Sequence, residues 1–168
     1  MRLLASLALV FLCAAGVAQE QADGPKRTFR DPFIEQLAGD WQLKRQIRGR
    51  QVENTVKAEW VLNHQFLQIH MMDVAVPPAY EALVYVGYQH ADQRYVAHWL
   101  DVFGGKFSAV GYGKRDGDSI AFVFRYDDGP FYNTFRWDAA TQSWTMTMES
   151  AGKDGKRQLF AIDTLRRK

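Results

Sequence analysis

Residues 39–58 read GDWQLKRQIRGRQVENTVKA. From Trp41 the apolar residues take alternate places, with Trp41, Leu43 and Ile47 on one side of the chain and Gln42, Lys44 and Gln46 on the other. That is the period of a strand with one buried face. Gly49 interrupts the alternation, which resumes through Val52, Val56 and Ala58. Taking Gly49-Arg50 as a two-residue turn sets Ile47 opposite Val52, Arg45 opposite Asn54, Leu43 opposite Val56 and Trp41 opposite Ala58. The other face then pairs Gln46 with Glu53 and Gln42 with Lys57. One face is apolar and one polar, as a hairpin over a core requires.

The same reading extends to the C-terminus, because turn signals recur between short alternating runs. Asn63-His64 opposes Trp60 to Leu67, Ala58 to Ile69 and Asn54 to Asp73. An apolar, proline-containing link follows from Val74 to Ala79. The His90–Gln93 loop pairs Tyr85 with His98 and Leu83 with Leu100. Gly104-Gly105 puts Leu100 against Ala109, and Asp116-Gly117 puts Ala109 against Phe124 and Gly111 against Phe122. Asp128-Gly129 pairs Phe122 with Phe135, and the Ala139–Gln142 loop pairs Trp137 with Trp144 and Phe135 with Met146. The last turn is ambiguous by one residue, so the face of the final strand stays open. Large rings on one strand repeatedly meet Gly or Ala on the next, which suits a tapering interior. The expected fold is all-β: an up-and-down antiparallel barrel of about ten strands, with a two-sheet sandwich as the alternative.

Upstream, Arg2, the apolar run Leu3–Leu12 and Gly16-Val17-Ala18 form the three parts of an export signal. Cleavage after Ala18 is expected, and the apolar run is shorter than the ~18 residues of a membrane span. Three segments result: a signal peptide at 1–18, a flexible arm at 19–32 and a barrel at 33–168. The protein is then exported, periplasmic or secreted. Phe33–Leu37 reads as one helical turn, with Asp31 as its cap and Pro32 at its first position. Cys13 is the only cysteine, so the mature chain holds together through its core without disulfides. A formal net charge of +2, with Lys and Arg scattered, argues against a nucleic-acid partner.

Leu37-Ala38-Gly39-Asp40-Trp41, Leu62-Asn63-His64-Gln65-Phe66-Leu67, Gly87-Tyr88 and Tyr95-Val96-Ala97-His98-Trp99-Leu100-Asp101 together resemble the calycin superfamily of lipocalins and fatty-acid-binding proteins. More closely, they resemble a bacterial lipocalin-like family described as a domain of unknown function. The resemblance runs from about Phe33 to the C-terminus. It implies a lumen that holds a small molecule, and a basic residue of the last strand, Arg166 or Arg167, packed over Trp41. The chain lacks the glycine-rich continuation after the Trp of haem-binding nitrobindins, so no haem or other cofactor is expected.

The inferred inward face carries Arg45, Asn54, Asp73, Glu81, Tyr85, His98 and Asn133. An unpaired buried charge is costly. Arg45 is therefore solvated at an open mouth, paired with Asp73 or Glu81, or placed for an anionic ligand group. Tyr85 and His98 face each other, as a satisfied core pair or as a pair that orients a ligand; an acid–base dyad is the least favoured use. Phe122, Phe124 and Phe135 fill the barrel or line a cavity with Trp60 and Met146 opposite. The expected ligand-binding set is thus Arg45, Asn54, Trp60, Tyr85, His98, Phe122, Phe124, Asn133, Phe135 and Met146. His64, His70, His90 and His98 are scattered, with His70 and His98 on opposite faces, and no metal site is expected. The outer face bearing Val84, Val86, Tyr88, Tyr95, Trp99, Val110, Tyr112 and Val123 reads as a contact surface. It serves a homodimer or is covered by the N-terminal arm. Two functions follow from different classes: a barrel binding a small apolar or amphipathic ligand, or a filled barrel working as an interaction module. An enzyme using Tyr85 and His98 comes third.

Overall fold

A computed structural model describes residues 28–152 and 154–168. The expected export signal and residues 19–27 of the arm lie outside the described residues. Ten antiparallel strands close into one barrel: β1 (Gly39–Ile47), β2 (Arg50–Val61), β3 (Phe66–Asp73), β4 (Glu81–Gln89), β5 (Arg94–Asp101), β6 (Ala109–Asp116), β7 (Ser119–Tyr126), β8 (Gly129–Asp138), β9 (Ser143–Ala151) and β10 (Arg157–Arg167). Each strand pairs with its neighbours in sequence, and β1 pairs with β10 to close the wall. Among the described residues no helix is long and apolar enough to cross a membrane.

The short helix α1 (Pro32–Glu35) stands where the sequence places it, with the Asp31 carboxylate accepting from the Phe33 N–H at 2.8 Å. Pro32 opens it because a first-turn residue has no helical acceptor to lose. The helix and its exit bury Phe33, Ile34 and Leu37 in one end of the barrel. Chain 19–32 is expected to be a flexible arm, yet its last residues are held. Phe29 is buried against Trp60, Tyr88 and Tyr95, and its N–H bonds the His64 carbonyl. One large ring in a polar segment is enough to dock it.

A clamp locks this end. The Trp41 indole donates to the Leu37 carbonyl at 2.8 Å, and the Arg167 guanidinium lies 4.0 Å over the same ring. Arg167 also donates to the Ala38 and Gln36 carbonyls, at 2.6 and 2.9 Å, satisfying carbonyls at the exit of α1. Gly39 lies beneath it with φ +122°, and a Cβ there would overlap the Arg167 Nη1 atom.

The registers separate what turn chemistry fixes from what it leaves open. The β2–β3, β4–β5 and β8–β9 pairings are as expected, including Trp60 with Leu67, Tyr85 with His98 and Trp137 with Trp144. Three hairpins slip by two residues. The first turns on Arg48-Gly49, both at positive φ, and pairs Ile47 with Arg50. Glycine is most at home as the second residue of such a turn. Phe124 likewise pairs with Gly111 and with Phe131. An even slip keeps every side chain on its face.

Two odd slips do not. The link after β3 brings Ala82, Val84 and Val86 inward, not Leu83 and Tyr85. The connection at residues 102–108 holds a 3₁₀ turn, Gly105–Phe107, and pairs His98 with Val110 rather than Gly111. The two errors cancel, so β6 to β9 recover their expected faces while β4 and β5 are reversed. Both sides of β4 and β5 are apolar, so alternation had nothing to choose by.

Gly39→Ala is expected to lower stability by about 2 kcal/mol through backbone strain and displacement of Arg167. Urea unfolding measures it, and in an Arg167→Ala background the cost should shrink. An unchanged midpoint would show that the clamp does not stabilise this end.

Candidate functional site

The barrel interior divides into two halves. Around α1 the packing is dense: Trp41, Leu43, Leu67, Ile69, Ile120, Phe122, Phe135, Trp144 and Met146 are all fully buried. Phe122 and Phe135 meet edge to face at 5.1 Å, as do Phe33 and Trp144. Toward the opposite end the side chains no longer fill the lumen. A cavity of about 930 Å³ opens there, walled by Phe124, Phe131, Tyr80, Trp99, Tyr126, Phe160 and Met148. Val74, Val76, Val102, Phe103 and Phe107 are exposed on the loops around it.

Arg45 lies in the wall of this cavity and is 7 % exposed. Its partner is Asp163 of β10, directly across the β1–β10 seam and 0 % exposed. The contact is bidentate, with Nε to Oδ1 at 2.7 Å and Nη2 to Oδ2 at 2.6 Å. Of the readings offered by the sequence, pairing holds, but with neither Asp73 nor Glu81. Asp163 was out of reach because the face of β10 could not be assigned; a register shift between Leu159 and Ala161 is what sets it. Burial works against the Arg45 charge, but the hydrogen bonds and charge of Asp163 outweigh it and hold the proton more firmly than usual. Burial raises the Asp163 carboxyl above its ordinary value, with Arg45 pulling the other way. The fork-to-fork geometry is that of a guanidinium on a carboxylate. Tyr80 lies over the guanidinium, 5.0 Å from Cζ to ring centroid, and burial raises its phenol.

The ten expected site residues separate into three groups. Arg45, Asn54, Phe124 and Asn133 line the cavity. Phe122, Phe135 and Met146 belong to the packed half, while Trp60 sits at the closed end, bonding Glu35 at 2.7 Å and stacking on His64. Tyr85 and His98 are register partners but stand on the outer face, with His98 exposed. Glu81 is also outside, 2.6 Å from His70 Nε2. His70 and His98 therefore share the outer face rather than dividing between faces. Among the described residues no group of three His, Cys, Asp or Glu could hold a metal ion.

The expected contact surface also divides. Val84, Val86 and Tyr95 are core, Tyr88 packs on Phe29, and Trp99 lines the cavity, 6.4 Å from the Phe124 ring. Val110 and Tyr112 remain outside. Trp99 and Tyr112 thus stand on opposite sides of the wall. The sequence reading missed Tyr80, Trp99, Phe131 and Phe160 as lining residues. Trp99 was lost to the odd slip, and Tyr80 lies in a link whose geometry no turn rule covers.

No protein-family model matches the chain, and no curated protein sequence does. The solved structures include a similar fold: the crystal structure of Rv2717c from M. tuberculosis, with a TM-score of 0.56 and 14 % identity. The match covers 83 % of this chain and 99 % of that one. At such identity the likeness is one of fold.

Asp163→Leu leaves Arg45 buried without its partner and is expected to cost about 3–5 kcal/mol. The double variant Arg45→Met with Asp163→Leu should recover most of that loss, since apolar replacements of a buried pair are tolerated. Guanidinium unfolding of the three proteins makes the comparison, and a double variant as unstable as the single would contradict it.

Proposed function

We propose that this barrel is an exported, lipocalin-like carrier that binds a small apolar or amphipathic molecule in its lumen. The observation that carries the reading is the cavity of about 930 Å³ with aromatic walls. Ligand sites are commonly ~300–1,000 Å³, mostly apolar and edged by a few fixed polar groups. A barrel that worked only through its outer surface would need no such room. The packed half supports the same reading, because a dense floor keeps a cavity shaped while the other end admits a ligand. The exposed Val76, Phe103 and Phe107 give the mouth an apolar rim along which a lipophilic molecule can pass. The clamp of Arg167 on Trp41 is the arrangement that the lipocalin resemblance implies.

N-Phenylnaphthylamine, a lipophilic probe whose emission rises in apolar surroundings, is expected to bind saturably. Val52→Phe, which adds a ring to the cavity wall, should weaken that binding several-fold while leaving the unfolding midpoint in place. No saturable binding of any lipophilic probe would sink the reading. Export is tested separately: the protein recovered outside the cytoplasm should begin at Gln19, and an intact Met1 would rule the cleavage out.

A further inference from the structure

We infer that the lumen selects a neutral head group able to donate and accept hydrogen bonds, an alcohol in place of a carboxylate, held by Asn54 and Asn133. The inference rests on the ligand-binding reading above and narrows its chemical class.

The buried guanidinium would ordinarily point to an anionic ligand. Here its Nε–Nη2 edge is taken by the two oxygens of Asp163, at 2.7 and 2.6 Å, and the carboxylate balances its charge. A ligand carboxylate on that edge would leave a fully buried protein carboxylate unpaired, and one on the remaining N–H groups would add a second negative charge to a pair already neutral. The remaining charges oppose an anion as well. Arg48 and Arg50 line the cavity, but so do Asp73, Asp101, Asp128 and Asp154. With the Arg45–Asp163 pair neutral in sum, carboxylates outnumber guanidiniums among the described lining residues, and they bias the local field against negative charge.

What the cavity leaves unsatisfied is neutral. Asn54 and Asn133 are 2 % and 1 % exposed, both line the cavity, and the Oδ1 atom of each has no hydrogen-bond partner. A buried amide oxygen without a partner is costly, and sites built to bond a polar group discriminate by it. The two amides come from well-separated parts of the wall, β2 and β8, with β1, β10 and β9 between them. Each lines the cavity from a different side, so a head group meets an amide on either wall. A hydroxyl gives one proton and accepts on its oxygen, so it suits a primary amide in either orientation. Phe124 and Phe131 are then left for the apolar remainder of the ligand.

Displacement of N-phenylnaphthylamine from the mature protein by dodecanol and by dodecanoate, at about pH 8 where the carboxyl is ionised, tests this. Dodecanol is expected to compete at about tenfold lower concentration. Asn54→Leu and Asn133→Leu should each bring the two competitors toward parity while the probe still binds. Should a leucine variant fail to fold, the corresponding serine variant, which keeps a polar group but shortens its reach, takes its place. Equal competition, or tighter dodecanoate, overturns the inference and leaves the carrier reading standing. An alcohol preference unchanged in both variants overturns the assignment to these two residues. Failure of the unmodified protein to bind the probe overturns the carrier reading itself.

Discussion

Arg45 on the first strand and Asp163 on the last meet inside the barrel, at the seam where the chain closes on itself. Both are taken out of water, so each depends on the other for the solvation it has lost. The pair suits the seam because no hairpin turn sets the register between β1 and β10. Strands joined by a tight turn have their alignment fixed by the turn. A bidentate contact between directly opposed residues does the same work across the seam, where sequence neighbours cannot.

The same pair marks where the packing changes. On one side of it lie Leu43, Leu165 and Trp41, all fully buried beneath α1. On the other side the wall continues through Ile47 and the lumen widens into the cavity. A charged layer at that level does not close the interior as an aromatic layer would, since it needs polar neighbours such as Tyr80 in place of dense rings. The closed end is held by other contacts. Arg167 bonds two carbonyls at the exit of α1, covers Trp41 and requires a glycine below it. A floor held by a side-chain clamp and a mouth edged by loops make the two ends of the barrel unlike.

Much of this was legible in the chain. Trp41, Leu43 and Val56 declare their face by period, and Asp31-Pro32 declares the start of α1. Asn54, Phe124 and Asn133 were placed in the interior despite two-residue slips, because an even slip does not turn a side chain over. The reversed faces of β4 and β5 have one cause. Where a connection is a regular turn, its length decides the next face, but residues 74–80 and 102–108 are irregular. With Leu83 and Tyr85 as apolar as Val84 and Val86, pattern could not correct the count. By pattern alone, Tyr85 and His98 therefore count as interior and Trp99 as exterior, the reverse of the structure.

The sequence by itself determined the class of fold, the approximate number of strands, the capped turn at the start and the inward face of Arg45. It could do so because period, turn chemistry and the cost of a buried charge are local or pairwise properties. Only the tertiary structure decided that the partner is Asp163 and that Trp99 faces the lumen. It alone decided that Phe122 and Phe135 fill one half while Phe124 borders an open one. Those outcomes depend on the shear of a closed barrel and on how large side chains share a fixed volume, and neither is written at any single position.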